Sequence, residues 1–93
     1  MKYCKRLYEL RIDNDLTQKK VAEILNTTKQ NYSNYERGTR KLTIDDLEIL
    51  CRYYKVSADY VIGLTDEKEP NWNKKTKNIN IIQNNKINKI NID

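Results

Sequence analysis

Lys29, Gln30, Ser33, Asn34 and Arg37 fall within one nine-residue stretch. Wound as a helix at about 100° per residue, they share an arc of about 140°. Asn31, Tyr32, Tyr35 and Glu36 occupy the opposite side, so the first arc is wholly hydrogen-bonding or cationic and carries no carboxylate. Side-chain amides match the N6 and N7 edge of adenine, and Lys or Arg matches guanine. The chemistry is that of reading base-pair edges. The plainer alternative is an exposed polar face in a generic bundle, but such faces usually mix charge signs.

The rest of the composition argues against catalysis. The 93 residues contain no His, two Cys, two Gly (Gly38 and Gly63) and one Pro. No tetrahedral zinc set can be assembled from them, the commonest general base is missing, and there is no Gly-rich phosphate cradle. Neither a metal nor a cofactor is expected, and no catalytic residue is assigned. The formal net charge of +5 favours a polyanionic partner without distinguishing nucleic acid from an anionic surface. Charged residues interrupt every apolar stretch, so neither a spanning helix nor a secretory leader is expected, and the cytoplasm is the expected compartment. Cys4 and Cys51 are expected to be small buried apolar residues rather than a disulfide.

Apolar spacings of three and four over residues 1–65 predict helices throughout. Tyr3, Leu7 and Leu10 line a first helix that fades by Asp13-Asn14-Asp15. Thr17 caps a second, with Val21, Ala22 and Leu25 as its buried stripe and Ile24 at the edge; Asn26 ends it in a left-handed turn. Thr28 caps the third, over about residues 28–37, which Gly38 terminates. Thr43 caps a fourth, with Asp45 and Asp46 in its first turn and a stripe of Leu47, Leu50, Cys51 and Tyr54. Ser57 caps a short fifth helix that Gly63 stops. Tyr32 and Tyr35 are expected to anchor the third helix from behind. The short Asn26-Thr27-Thr28 link makes helices two and three a helix-turn-helix, which presents its second helix to a DNA major groove. Phosphate contacts are expected from Gln18 and Lys19 at the start of helix two, and from Arg37, Arg40 and Lys41 at and beyond the end of helix three.

Leu7-Tyr-Glu-Leu-Arg11, Leu16-Thr-Gln18, Val21-Ala22, Leu25, Tyr32-Ser33, Tyr35-Glu-Arg-Gly38, Leu47, Leu50, Val56-Ser57 and Asp59-Tyr-Val-Ile-Gly63 together resemble the helix-turn-helix domain of the Cro and C1 repressors and their bacterial relatives, the xenobiotic-response-element family. The resemblance covers about residues 3–65. It implies an all-α, five-helix lambda-repressor-like domain over 1–65 that binds double-stranded operator DNA, usually as a homodimer on a two-fold-related site. It also implies a transcriptional regulator, most often a repressor. Carried over by position, Thr28, Lys29, Gln30, Ser33 and Asn34 match the family's DNA-facing residues. Gln18 matches a glutamine that bonds a phosphate and braces the recognition helix. Arg11 and Glu36 match an internal salt bridge between helices one and three. Asn26 replaces the usual turn glycine. Leu42 stands where proline is common, so a looser start to helix four is expected.

Residues 66–93 form an Asn/Lys/Ile-rich tail with six isoleucines between Ile79 and Ile92. Its low complexity points to disorder, its isoleucines to self-association or a protein partner, and its alternating or helical Ile spacings to a local hairpin or helix. Trp72 either packs onto the domain or marks the linker. A competing function follows from the tail: an antitoxin or co-regulator whose main role is to bind another protein.

Overall fold

A computed structural model of the chain describes residues 1–73. It contains α1 (Lys2–Asp13), α2 (Gln18–Ile24), α3 (Lys29–Arg37), α4 (Ile44–Tyr54) and α5 (Ala58–Ile62), followed by one 3-10 turn at Asn71–Asn73. No strand occurs among the described residues. The all-α, five-helix reading therefore holds.

Each of the four Ser/Thr side chains does what its position predicts. Thr17, Thr28, Thr43 and Ser57 accept hydrogen bonds from the backbone N–H of Lys20, Asn31, Asp46 and Tyr60, respectively. Every one satisfies a donor that the first helical turn leaves unpaired, a contribution of about 1 kcal/mol each. Gly38 and Gly63 close α3 and α5 in the left-handed region, with φ of +79° and +91°. Asn26 turns left-handed just past α2, as predicted, and so do Asp15 and Lys55, which were not anticipated.

The core is one cluster built from every helix: Leu7 and Leu10, Val21, Ala22 and Leu25, Tyr32 and Tyr35, Leu50 and Cys51, then Val56, Tyr60 and Val61. A fully buried side chain of this kind contributes about 1.5–3 kcal/mol through removal of apolar surface from water. Tyr3, Leu16, Leu42, Leu47 and Tyr54 pack against it from the rim. α3 lies against α2 and α1, while α5 bridges α1 and α4. The third helix is thus held from behind by two others.

Three expectations need correcting. Cys51 is buried, but Cys4 is only half-buried, its Sγ lying against Gly38. The start of α4 is not loose: the Leu42 N–H, which a proline would lack, donates to the Tyr3 hydroxyl at 3.1 Å. Packing also continues beyond Thr65. Asp66 pairs with Arg6 at 2.8 Å, the Lys68 carbonyl accepts the Ser57 N–H at 2.9 Å, and Pro70 is fully buried. The same Arg6 guanidinium lies over the Tyr60 ring, 4.0 Å from the centroid. Trp72 remains half-exposed, with the Arg52 guanidinium 5.8 Å from its ring. The readings of the isoleucine-rich stretch as disordered, partner-binding or locally folded fall on residues 74–93, outside the described residues.

Candidate nucleic-acid interface

The inward side of α3 is fixed before its outward side can matter. Tyr32 and Tyr35 are fully buried and meet edge to face at 6.3 Å between ring centroids. Both hydroxyls find carboxylates: Tyr32 donates to Glu36 on its own helix, and Tyr35 to Asp46 in the first turn of α4. A buried phenol left without an acceptor would be costly, and the Tyr35 bond, which crosses to α4, ties the rotation of α3 about its axis to its neighbour.

Glu36 is the hub. Arg11 meets it with two parallel bonds, Nε to Oε2 at 2.7 Å and Nη2 to Oε1 at 3.1 Å. Gln18 Nε2 donates to the same Oε1 at 3.1 Å, and Tyr32 completes a set of four donors. Arg11 spends Nη1 on the Leu16 carbonyl, at the turn into α2. Burial alone would push the Glu36 carboxyl up, but hydrogen bonds from Arg11, Tyr32 and Gln18 outweigh it and hold the group below the ordinary carboxylate range. The Arg11 guanidinium is shifted up, chiefly by its bonds to Glu36. Burial, then the bond to Glu36, drives the Tyr32 phenol far above its ordinary value. At neutral pH the pair is ionised, and α1, α2 and α3 share one carboxylate.

The outward side carries the residues expected from the sequence to read bases. Thr28, Lys29, Gln30 and Arg37 are exposed, and Ser33 and Asn34 are half-buried between them. Thr28 uses its oxygen as the helix cap, and Asn31 Nδ2 fastens the turn by donating to Thr27 Oγ1 at 3.0 Å. Asn34 Oδ1 accepts from Gln30 Nε2 at 3.1 Å and from Arg37 Nη2 at 2.9 Å. This pairing leaves Asn34 Nδ2 and Gln30 Oε1 for an external partner, a donor and an acceptor side by side.

The flanking polar and cationic residues divide into two groups. Gln18, Lys19 and Lys29 line one shallow depression with Arg11, Leu16 and Thr17, where the starts of α2 and α3 approach. Arg40 and Lys41 are exposed beyond α3, with the Arg40 guanidinium 5.8 Å from the Tyr35 ring. The backbone N–H groups of Thr39 and Arg40 both donate to the Asn34 carbonyl, at 3.0 and 3.3 Å. The sequence pointed to the cations, to Tyr3 on the apolar face of α1 and to Asp46 in the first turn of α4, but not to Thr39 or to the bonds by which the three hold the cations or their helix. Such bonds join separate elements and leave no periodic signal. Among the described residues, no cluster of His, Cys, Asp or Glu could hold a metal ion, and no helix is long and apolar enough to cross a membrane.

Comparison with known proteins gives the family and a likeness of fold. The helix-turn-helix family matches residues 7–61. The HTH-type transcriptional regulator YobD of Bacillus subtilis, itself uncharacterized, is 42% identical over 73 residues, covering 78% of this chain and 65% of that protein. The HTH-type transcriptional regulator ImmR of the same organism is 43% identical over 67 residues, covering 72% and 53%. The cryptic phage CTXphi transcriptional repressor RstR of Vibrio cholerae is 29% identical over 75 residues, covering 81% and 65%. The chain thus matches less than two thirds of the length of each. A crystal structure of a transcriptional regulator from Listeria innocua superposes with a TM-score of 0.62 at 23% identity, over 87% of this chain and 73% of that one, a likeness of fold.

Proposed function

The chain belongs to the Cro/C1-type helix-turn-helix family, and on that premise we propose that it is a sequence-specific regulator of transcription, a repressor that inserts α3 into the major groove of double-stranded DNA. Thr28, Lys29, Gln30, Ser33 and Asn34 read base edges. Gln18, Lys19, Arg37, Arg40 and Lys41 hold phosphates. Two copies bind a two-fold-related operator as a homodimer, in keeping with how helix-turn-helix proteins match palindromic half-sites. Repression follows from occupancy of promoter DNA, and no chemical step is involved.

One observation carries the reading: the only carboxylate on α3, Glu36, faces inward on Arg11, so the outer arc is left with amide, hydroxyl and cationic groups alone. A duplex is the partner that matches such a surface, because its backbone supplies the negative charge and its grooves supply the donors and acceptors. Selection of bound duplexes from a random-sequence library tests it. Enrichment of one two-fold-related sequence is expected, lost when Gln30 and Asn34 are both replaced by Ala. A library recovered without enrichment refutes sequence-specific binding, and enrichment of a single half-site refutes the homodimer.

A further inference from the structure

The segment between α3 and α4 carries Arg40 and Lys41, and it is tied at both ends. On one side the Thr39 and Arg40 N–H groups donate to the Asn34 carbonyl, and Thr39 Oγ1 lies 3.5 Å from the same oxygen. On the other side stands a residue 37 positions away in sequence. The Tyr3 hydroxyl, on the first turn of α1, donates to the Arg40 carbonyl at 3.4 Å and accepts the Leu42 N–H at 3.1 Å. A phenol oxygen can do both at once. The two peptide groups it holds lie on either side of Lys41.

Tyr3 is itself well fixed. Its ring packs against the core cluster with Leu42, and it precedes Leu7 by one helical turn on the same face of α1. The next residue along α1, Cys4, has its thiol near Gly38, the residue that turns the chain out of α3. The start of α1 therefore meets this segment at Gly38, at the Arg40 carbonyl and at the Leu42 N–H. Leu42 supplies an N–H that only a residue other than proline has. Tyr3 turns that donor into an anchor.

We infer that Tyr3 is a positioning residue for phosphate binding: through its hydroxyl it holds the Arg40–Lys41 backbone in register behind the reading helix. This rests on the DNA-binding reading above. Tyr3 touches no DNA. Without the hydroxyl, the segment stays attached at Asn34 but loses its second tie, and the two cations no longer stay within reach of their phosphates, so one or both contacts are lost.

The test compares the full chain with Tyr3→Phe, which removes one oxygen and leaves the ring in the core. Limited trypsin digestion without DNA reads the anchor directly. Cleavage after Arg40 and Lys41 should quicken several-fold in Tyr3→Phe relative to cleavage at the other lysines and arginines. Titration of random-sequence duplex DNA at several salt concentrations reads the consequence. Each phosphate contact contributes about 0.9 to the slope of log K against log salt, so Tyr3→Phe should flatten the slope by about 1–2 per subunit. In an Arg40→Ala, Lys41→Ala background, Tyr3→Phe should change the slope no further.

Unchanged proteolysis at Arg40 and Lys41 overturns the inference, and so does an unchanged salt slope. Equal acceleration at every tryptic site, with a lowered melting temperature, overturns it as well, because the hydroxyl would then stabilise the fold in general. If the wild-type chain fails to bind duplex DNA while the proteolysis result is as expected, the tie stands but its role in phosphate binding falls, and the failure lies with the DNA-binding reading.

Discussion

The Tyr35 hydroxyl on α3 donates to the Asp46 carboxylate in the first turn of α4, eleven positions along the chain. One carboxylate thus has two duties. It lies where the α4 dipole favours negative charge, and it fixes the azimuth of the helix that carries the proposed reading residues. Tyr35→Phe keeps the ring and removes the bond. A hydrogen bond to a charged group is worth about 1.5–3 kcal/mol, so the midpoint of urea unfolding should fall accordingly. Loss of a few tenths of a kcal/mol or less would mean that the ring alone holds the helix.

Glu36 sets the acid limit of the fold. Its carboxyl titrates below the ordinary range when folded, so the stability it supplies is present above the unfolded value of about 4.3 and drains away as pH falls through the lowered folded value. Glu36→Gln strands Arg11 beside a neutral amide and should cost about 3 kcal/mol at neutral pH. Urea unfolding followed from neutral pH downward should show wild type and variant converging in acid. Parallel curves at every pH would place the acid sensitivity elsewhere.

Gln30 and Asn34 are coupled through the Asn34 Oδ1. Each single change to Ala should cost about 1–3 kcal/mol of discrimination at a preferred operator while sparing much of the affinity for other DNA. Asn34→Ala should be the worse of the two, since it also releases Arg37. The double variant should lose less than the sum of the singles, with a coupling of about 0.5 kcal/mol or more. Binding titrations on matched and mismatched duplexes give all the terms. Strict additivity would show that the amides act independently.

The two glycines that end helices differ in what a methyl group would meet. At Gly63 an added Cβ would approach within 2.5 Å of Lys2 Cδ and 2.8 Å of Lys2 Cβ; at Gly38 the nearest atom is Cys4 Sγ, at 3.4 Å. Both sites have positive φ, which costs an L-residue about 1–2 kcal/mol. Gly63→Ala should therefore lower the melting temperature more than Gly38→Ala. The reverse order would show that the start of α1 yields easily.

Features governed by neighbouring residues were legible in the sequence. Thr17, Thr28, Thr43 and Ser57 each cap a helix because the partner N–H is three positions on, and both glycines sit where a helix must end. The inward turn of Tyr32 and Tyr35 follows from helical spacing alone. What stayed hidden lies between distant residues. Nothing local links Tyr3 to Leu42, Tyr35 to Asp46 or Arg6 to Asp66, and the Lys68 carbonyl returns to Ser57 through a backbone bond with no side-chain signature. A boundary at Thr65 follows from a change in composition, and composition cannot register that Pro70 is fully buried. The left-handed turns at Asp15 and Lys55 were missed because neither residue advertises the conformation as glycine does.

Three helices converge on a single carboxylate, so the surface above it cannot flex toward a ligand without breaking a charge-assisted bond. On the proposed DNA-binding reading, a protein so braced would meet its operator as a rigid die. Whatever bending or groove-narrowing the fit demands would then be done by the duplex, and stiffness at base pairs that no side chain touches would become part of what is recognised.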